Sequence, residues 1–159
     1  MDIVVEQIKD FFGNYMLMSA MVAWLAAQVI KIFTGLYQHD GKLTLRKLLF
    51  STGGMPSSHS ASVLALTIAA GIEYGLGSPY FAICAILSII VMIDASGVRY
   101  ETGKQAVFLN KIAKEIFSGN PELVNVGFKE LVGHTPLQVF MGAILGALVA
   151  IGMSFAFVL

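Results

Sequence analysis

Two short stretches carry the residue types that phosphate chemistry needs. Residues 53–60 read Gly-Gly-Met-Pro-Ser-Ser-His-Ser. The glycines and proline end a loop, Ser57 and Ser58 offer an N-cap, and His59 falls in the first turn of the helix that follows. A helix start presents free N–H groups and a partial positive charge, which suits an anion. Residues 133–138 read Gly-His-Thr-Pro-Leu-Gln. Thr135 with Gln138 three positions later fits a capping box, and Pro136 fits the first helical position. His134 therefore stands just outside a second helix start.

Two further cations belong with these histidines. Lys31 lies toward the end of an apolar segment, and Arg99 follows Asp94 in Asp-Ala-Ser-Gly-Val-Arg. Asp94 and Arg99 are five apart and share no α-helical face, so they meet only where the helix unwinds near Gly97. Each residue alone has an ordinary explanation: a cap, an interfacial histidine, or a long cation snorkelling to water. Lys31, His59, Arg99 and His134 as a set, on four different helices or helix ends near one membrane face, are harder to dismiss. Lysine and arginine neutralise phosphoryl oxygens, helix N–H groups cradle them, and two histidines can divide nucleophile and acid roles.

The elements that must position these groups are membrane helices. Of 159 residues, 57% are hydrophobic and 13% are charged, against about 25% charged in a soluble domain. Mean hydropathy is +0.78. Ten basic residues balance ten acidic ones, so no net field recruits a nucleic acid. The single cysteine, Cys84, excludes an intramolecular disulfide and a cysteine-rich metal site. The length suits one domain over residues 1–159.

The hydropathy pattern predicts an all-α integral membrane bundle of about four spanning helices, over residues 15–37, 57–74, 79–97 and 136–159. Amphipathic helices are expected over 1–13 and 104–117, at the interface or against the bundle. Gly75-Leu76-Gly77-Ser78-Pro79 is a tight turn, and Gly142, Gly146 and Ala150 recur every four residues, which suits close helix packing. Lys42, Arg46 and Lys47 sit in one connecting segment, and Arg99, Lys104, Lys111, Lys114 and Lys129 in another. Four crossings put both segments on one side, which the positive-inside rule makes cytoplasmic.

With these residues in view, the chain resembles the divergent, bacterial-type branch of the type 2 phosphatidic acid phosphatase superfamily, a relative of the vanadium haloperoxidases. The superfamily pattern has a lysine followed by Arg-Pro, a Pro-Ser-Gly-His, and a Ser-Arg followed by a histidine and an aspartate. Pro56-Ser57-Ser58-His59 is similar to the second part, with Ser58 in place of glycine. His134 through Gln138 is similar to the end of the third, with Gln138 in place of aspartate. Lys31 matches the first-part lysine, with Gln38 where its arginine would be, and Arg99 supplies the third-part arginine from far upstream. The DASGVR and GKQAVFLNKI stretches extend the match to the branch over nearly the whole chain.

The resemblance implies a bacterial cell-membrane hydrolase of lipid phosphomonoesters or pyrophosphates that needs no metal or other cofactor. His134 would attack phosphorus to give a phosphohistidine, and His59 would protonate the leaving oxygen. Lys31, Arg99 and the backbone at Ser57 and Ser58 would hold the phosphoryl oxygens. Gln138 or Asp94 would orient His134. The implied partners are a phosphorylated membrane lipid and the bilayer, and a homo-oligomer is compatible with this reading. A second reading keeps the fold and the anion pocket without turnover, binding phosphorylated head groups. A metal or ion transporter fits less well, because the polar residues gather at one end of the helices.

Overall fold

The computed structural model describes residues 2–36, 54–116, 128 and 133–158. Among these the chain is helical, with no strand: α1 (Asp2–Gly13), α2 (Tyr15–Leu36), α3 (Ser58–Tyr74), α4 (Pro79–Ile93), a π-helical turn (Asp94–Val98), α5 (Arg99–Ile116) and α6 (Pro136–Phe157). Gln38, Lys42, Arg46, Lys47 and Lys129 lie outside the described residues.

Among the described residues three helical runs are long and apolar enough to cross a membrane: Tyr15–Thr34, Pro79–Ile116 and Pro136–Phe157. The sequence predicts a fourth span in α3, which has 17 residues and packs centrally against α2, α4 and α6. Its buried positions are small: Ser58, Ser60, Ala61, Ala65, Thr67, Ala69 and Ala70. Ala61, Ala65 and Ala69 among them meet Ala23 and Ala27 of α2 and Ala150 of α6 in one core.

The bundle is thus small inside and bulky outside. Ile83, Ile86 and Ile90 of α4 and Phe140, Leu148 and Phe155 of α6 are exposed. Hydrocarbon tails are as apolar as leucine, so helices associate through close backbone approach and interhelical hydrogen bonds rather than by hiding large side chains. Gly142 and Gly146 allow that approach. A Cβ at Gly142 would lie 2.3 Å from the Ser57 carbonyl oxygen, and one at Gly146 would lie 2.2 Å from that of Ala61. Two hydrogen bonds add to the packing. The Tyr15 hydroxyl donates to the Ala150 carbonyl (2.6 Å), and the Ser88 hydroxyl donates to the Val63 carbonyl (2.8 Å).

The structure departs from the expected elements in one place. The third spanning helix does not end near 97. It runs through the π-turn into α5, giving one helical run from Pro79 to Ile116. The apolar content drops after Val98 while the backbone stays helical. Helix α1 stands apart from the bundle. Its Ile3, Val4, Ile8, Phe11 and Phe12 are exposed, so of the two expected positions for this amphipathic helix it does not occupy the one against the bundle.

Candidate functional site

Alternating helix directions gather the candidate residues at one end of the bundle. Lys31 lies in the last turns of α2, Ser57 and Ser58 open α3, Asp94 closes α4, and His134 precedes α6. The reversal between α3 and α4 follows from the Gly75 to Ser78 turn, where the Ser78 N–H donates to the Gly75 carbonyl at 3.2 Å.

His134 is the most constrained of these residues. It is 2% exposed. Its N–H donates to the Ala95 carbonyl at 3.0 Å, inside the π-turn. Gly133 lets the chain pass against the start of α5: a Cβ there would lie 2.3 Å from the Tyr100 nitrogen. On the other side Thr135 caps α6 with a full capping box. The Thr135 N–H donates to Gln138 Oε1 at 3.0 Å, and the Gln138 N–H donates back to Thr135 Oγ1 at 3.4 Å. The backbone of His134 is thereby held at both ends, while its Nε2 is buried with no hydrogen-bond partner among the described residues. An unpaired buried ring nitrogen costs free energy unless something else will use it.

His59 sits at the first turn of α3, exposed, with its ring centroid 5.8 Å from that of His134 and the planes at 75°. One imidazole is beneath the surface and the other is open to solvent. Lys31 and Arg99 act electrostatically on both rings, and Asp94 acts on His59. Burial first, then the positive fields of Lys31, His59 and Arg99, pushes the His134 imidazole down to about 4. The ring is therefore neutral near pH 7, as a nucleophile requires.

Lys31 is 8% exposed and donates through Nζ to Ser58 Oγ at 3.1 Å. Its methylenes pass Gly54, whose φ of +96° a side chain would strain. Ser58 is buried, so this lysine and serine form a polar pair set below the surface. Ser57 has a different task. Its N–H donates to the Gln138 carbonyl at 2.9 Å, and its hydroxyl accepts from Ser60 Oγ at 3.0 Å while capping α3. Both polar groups of Ser57 are engaged within the fold, so it fixes the start of α3 against α6. The N–H groups of the first turn, at Ser58 and His59, are the ones a helix leaves without an internal partner.

Asp94 and Arg99 do meet, though not by unwinding. In a π-turn the hydrogen bond runs from i+5 to i, so residues five apart come onto one side. The Arg99 N–H donates to the Asp94 carbonyl, and Arg99 Nε donates to Asp94 Oδ2 at 2.5 Å. Asp94 thus has Arg99 as its ion-pair partner, and the Gln138 amide oxygen is engaged by Thr135. The expected orienting bond from either of them to His134 is absent among the described residues. The contacts that do hold His134 come from backbone: the Ala95 carbonyl and the space at Gly133. Sequence reasoning misses Ala95 because a carbonyl is the same at every residue. Gly133, directly before a histidine and a cap, was the available signal.

Comparison with known proteins places these residues in context. The family described as the Divergent PAP2 family matches residues 12–149. The membrane protein YuiD of Bacillus subtilis (strain 168) is 38% identical over 158 residues, covering 93% of this chain and 99% of that protein. No solved structure gives a significant match. Residues 12–149 contain every site residue described above.

Proposed function

The chain belongs to the divergent PAP2 family, and from that premise we propose that it is a bacterial membrane hydrolase of lipid phosphates with its site facing the cytoplasm. The observation that carries this reading is the unpartnered, buried Nε2 of His134, beside His59 and within the fields of Lys31 and Arg99. A neutral imidazole surrounded by cations is suited to attack an anionic phosphorus centre. Lys31, Ser58 and the first-turn N–H groups of α3 would take the non-bridging oxygens.

In the proposed reaction the Nε2 lone pair of His134 forms a bond to phosphorus as the phosphorus–oxygen bond to the lipid breaks. His59, exposed and able to take a proton from solvent once the phosphate's negative charge offsets the fields of Arg99 and Lys31, gives that proton to the departing oxygen. Water then attacks the phosphohistidine, His59 takes a proton from it, and the nitrogen–phosphorus bond breaks to release phosphate. Arg99 is available to the phosphate because its pair with Asp94 is exposed, with side chains 47% and 36% accessible. Such pairs contribute only about 0–1 kcal/mol, so a dianion can draw the guanidinium away. Phosphatidic acid, phosphatidylglycerol phosphate and polyprenyl pyrophosphate all present the required group.

Phosphate release from each of these lipids in mixed micelles, read with malachite green on purified protein, tests the reading. Wild type releases phosphate, His134→Ala falls to background, and His59→Ala drops by roughly 10²–10⁴, the usual range for lost acid–base catalysis. A specific observation favours one competing reading: neither Asp94 nor Gln138 orients His134. Loss of the carboxylate partner costs about 10⁴ in a serine protease triad. On that second reading the chain binds phosphorylated head groups without turnover. Binding of phosphatidic acid vesicles with no release across the panel would select it. Among the described residues no three His, Cys, Asp or Glu side chains come together, so the transporter reading gains no support from a metal-ligating cluster.

A further inference from the structure

An apolar groove of about 270 Å³ runs beside the phosphate site, lined by Ile30, Thr34, Met55, Pro56 and, on α6, Met141, Ile144, Leu145 and Leu148. We propose that this groove holds one hydrocarbon tail of the phosphorylated lipid whose head group lies on Lys31, Ser58 and the two histidines. The inference rests on the phosphate-site reading above but not on turnover.

Three observations select that occupant. First, the groove offers no polar group to a ligand. The single proton of its one hydroxyl, Thr34 Oγ1, is taken up within the fold, with the Met55 (3.1 Å), Ile30 (3.2 Å) and Lys31 (3.3 Å) carbonyls as acceptors in reach. The occupant must therefore be hydrocarbon. Second, the groove and the anion site share walls. Ile30 precedes Lys31, and Met55-Pro56 leads into Ser57-Ser58. Gln138, whose carbonyl accepts the Ser57 N–H, is one turn from Met141. An amphiphile with its phosphate at Lys31 would meet this wall with its first methylenes. Third, the shape fits a chain. Met141 to Leu148 spans two turns of α6, ~10 Å along the axis, on a helix whose opposite contacts are closed by Gly142 and Gly146 against α3. The arrangement separates recognition into a polar end that reads phosphate and a hydrocarbon track that admits lipid from the side.

Photolabelling tests this directly. Purified full-length protein in detergent micelles is irradiated with a phosphatidic acid bearing a diazirine midway along one acyl chain. A phosphatidylcholine with the same labelled chain serves as the comparison. The phosphatidic acid probe should label the 141–148 segment of α6 or Ile30 several-fold more strongly than the phosphatidylcholine probe. Ile144→Trp and Leu148→Trp, each of which fills the groove, should both cut that labelling several-fold. Lys31→Met should reduce the phosphatidic acid signal to the phosphatidylcholine level. Equal labelling by the two probes overturns the proposal. So does labelling mainly on other lipid-facing positions, or an undiminished signal in both tryptophan variants that elute as monodisperse protein. Phosphate release with the label elsewhere would remove the groove and leave the hydrolase. Groove labelling without release would remove the hydrolase and leave the groove.

Discussion

His134 holds its proton weakly, and that has a consequence for stability as well as for chemistry. A histidine in an unfolded chain titrates near 6.5, whereas His134 is pushed down to about 4 in the folded protein. Between those values the unfolded state binds more protons than the folded one, so stability rises with pH across the window. The contribution is complete above about pH 6.5 and is lost as the pH falls toward 4. We expect the apparent Tm in detergent to fall from pH 7 to pH 4.5, and His134→Asn to flatten that slope. On the proposed mechanism the acid limb of kcat/KM, which reports the free enzyme, should likewise hold down to near pH 4, where His134 takes up a proton.

Lys31 makes the complementary case. Among the described residues the only hydrogen bond of this buried cation is to one serine hydroxyl, which does little for the fold, because desolvating a charge can cost more than its contacts return. Lys31→Met should leave the apparent Tm unchanged or raised while lowering phosphate release by roughly tenfold or more, the scale of one charge-assisted hydrogen bond. Lys31, His59, His134 and Arg99 were legible in the sequence because their side-chain chemistry is unusual at the ends of apolar helices. What joins them was not legible. The Ala95 and Gln138 carbonyls that accept from His134 and Ser57 carry no side-chain signature.

Helix–helix contact here depends on backbone reaching backbone. A side chain at Gly146 would collide with the Ala61 carbonyl, while Gly152 has open space around its Cα. Gly146→Leu should therefore lower the apparent Tm sharply, with overpacking costing about 1–3 kcal/mol or more, and Gly152→Leu should change it little. The repeat of Gly142, Gly146 and Ala150 was readable as a packing stripe, and α6 packs along it.

The π-turn was not readable, because one extra residue in a turn leaves the apolar pattern on either side intact. It pairs Asp94 with Arg99 and holds the carbonyl that His134 uses. Deleting Gly97 should restore an ordinary α-turn there and end the five-residue spacing that brings Arg99 onto Asp94. Helix content by circular dichroism should stay near wild type while phosphate release is lost. Retention of activity by that variant would remove the π-turn from the site.

At the scale of the whole molecule, composition alone separated this chain from soluble proteins, and the inside-out distribution of size and polarity follows from a solvent that is itself hydrocarbon. The number of crossings was less legible, since α3, though central, is short and rich in small residues. Sidedness can be measured with one thiol. Cys84 is the sole cysteine and is buried, so a Cys84→Ala background is silent to reagents. In that background a cysteine at Leu76 should react with a membrane-impermeant maleimide from outside intact cells, and one at Lys104 only after lysis. The reverse pattern would place the site on the outer face.

The run from Pro79 to Ile116 carries 38 residues, ~57 Å at 1.5 Å per residue, nearly twice a hydrocarbon core of roughly 30 Å. Such a run is longer than the hydrocarbon it would cross, and the turn against which His134 is seated lies between its apolar and its polar part. A change in the angle between those two parts, such as a tilt imposed by a thicker bilayer, would shift the Ala95 carbonyl on which the His134 N–H rests.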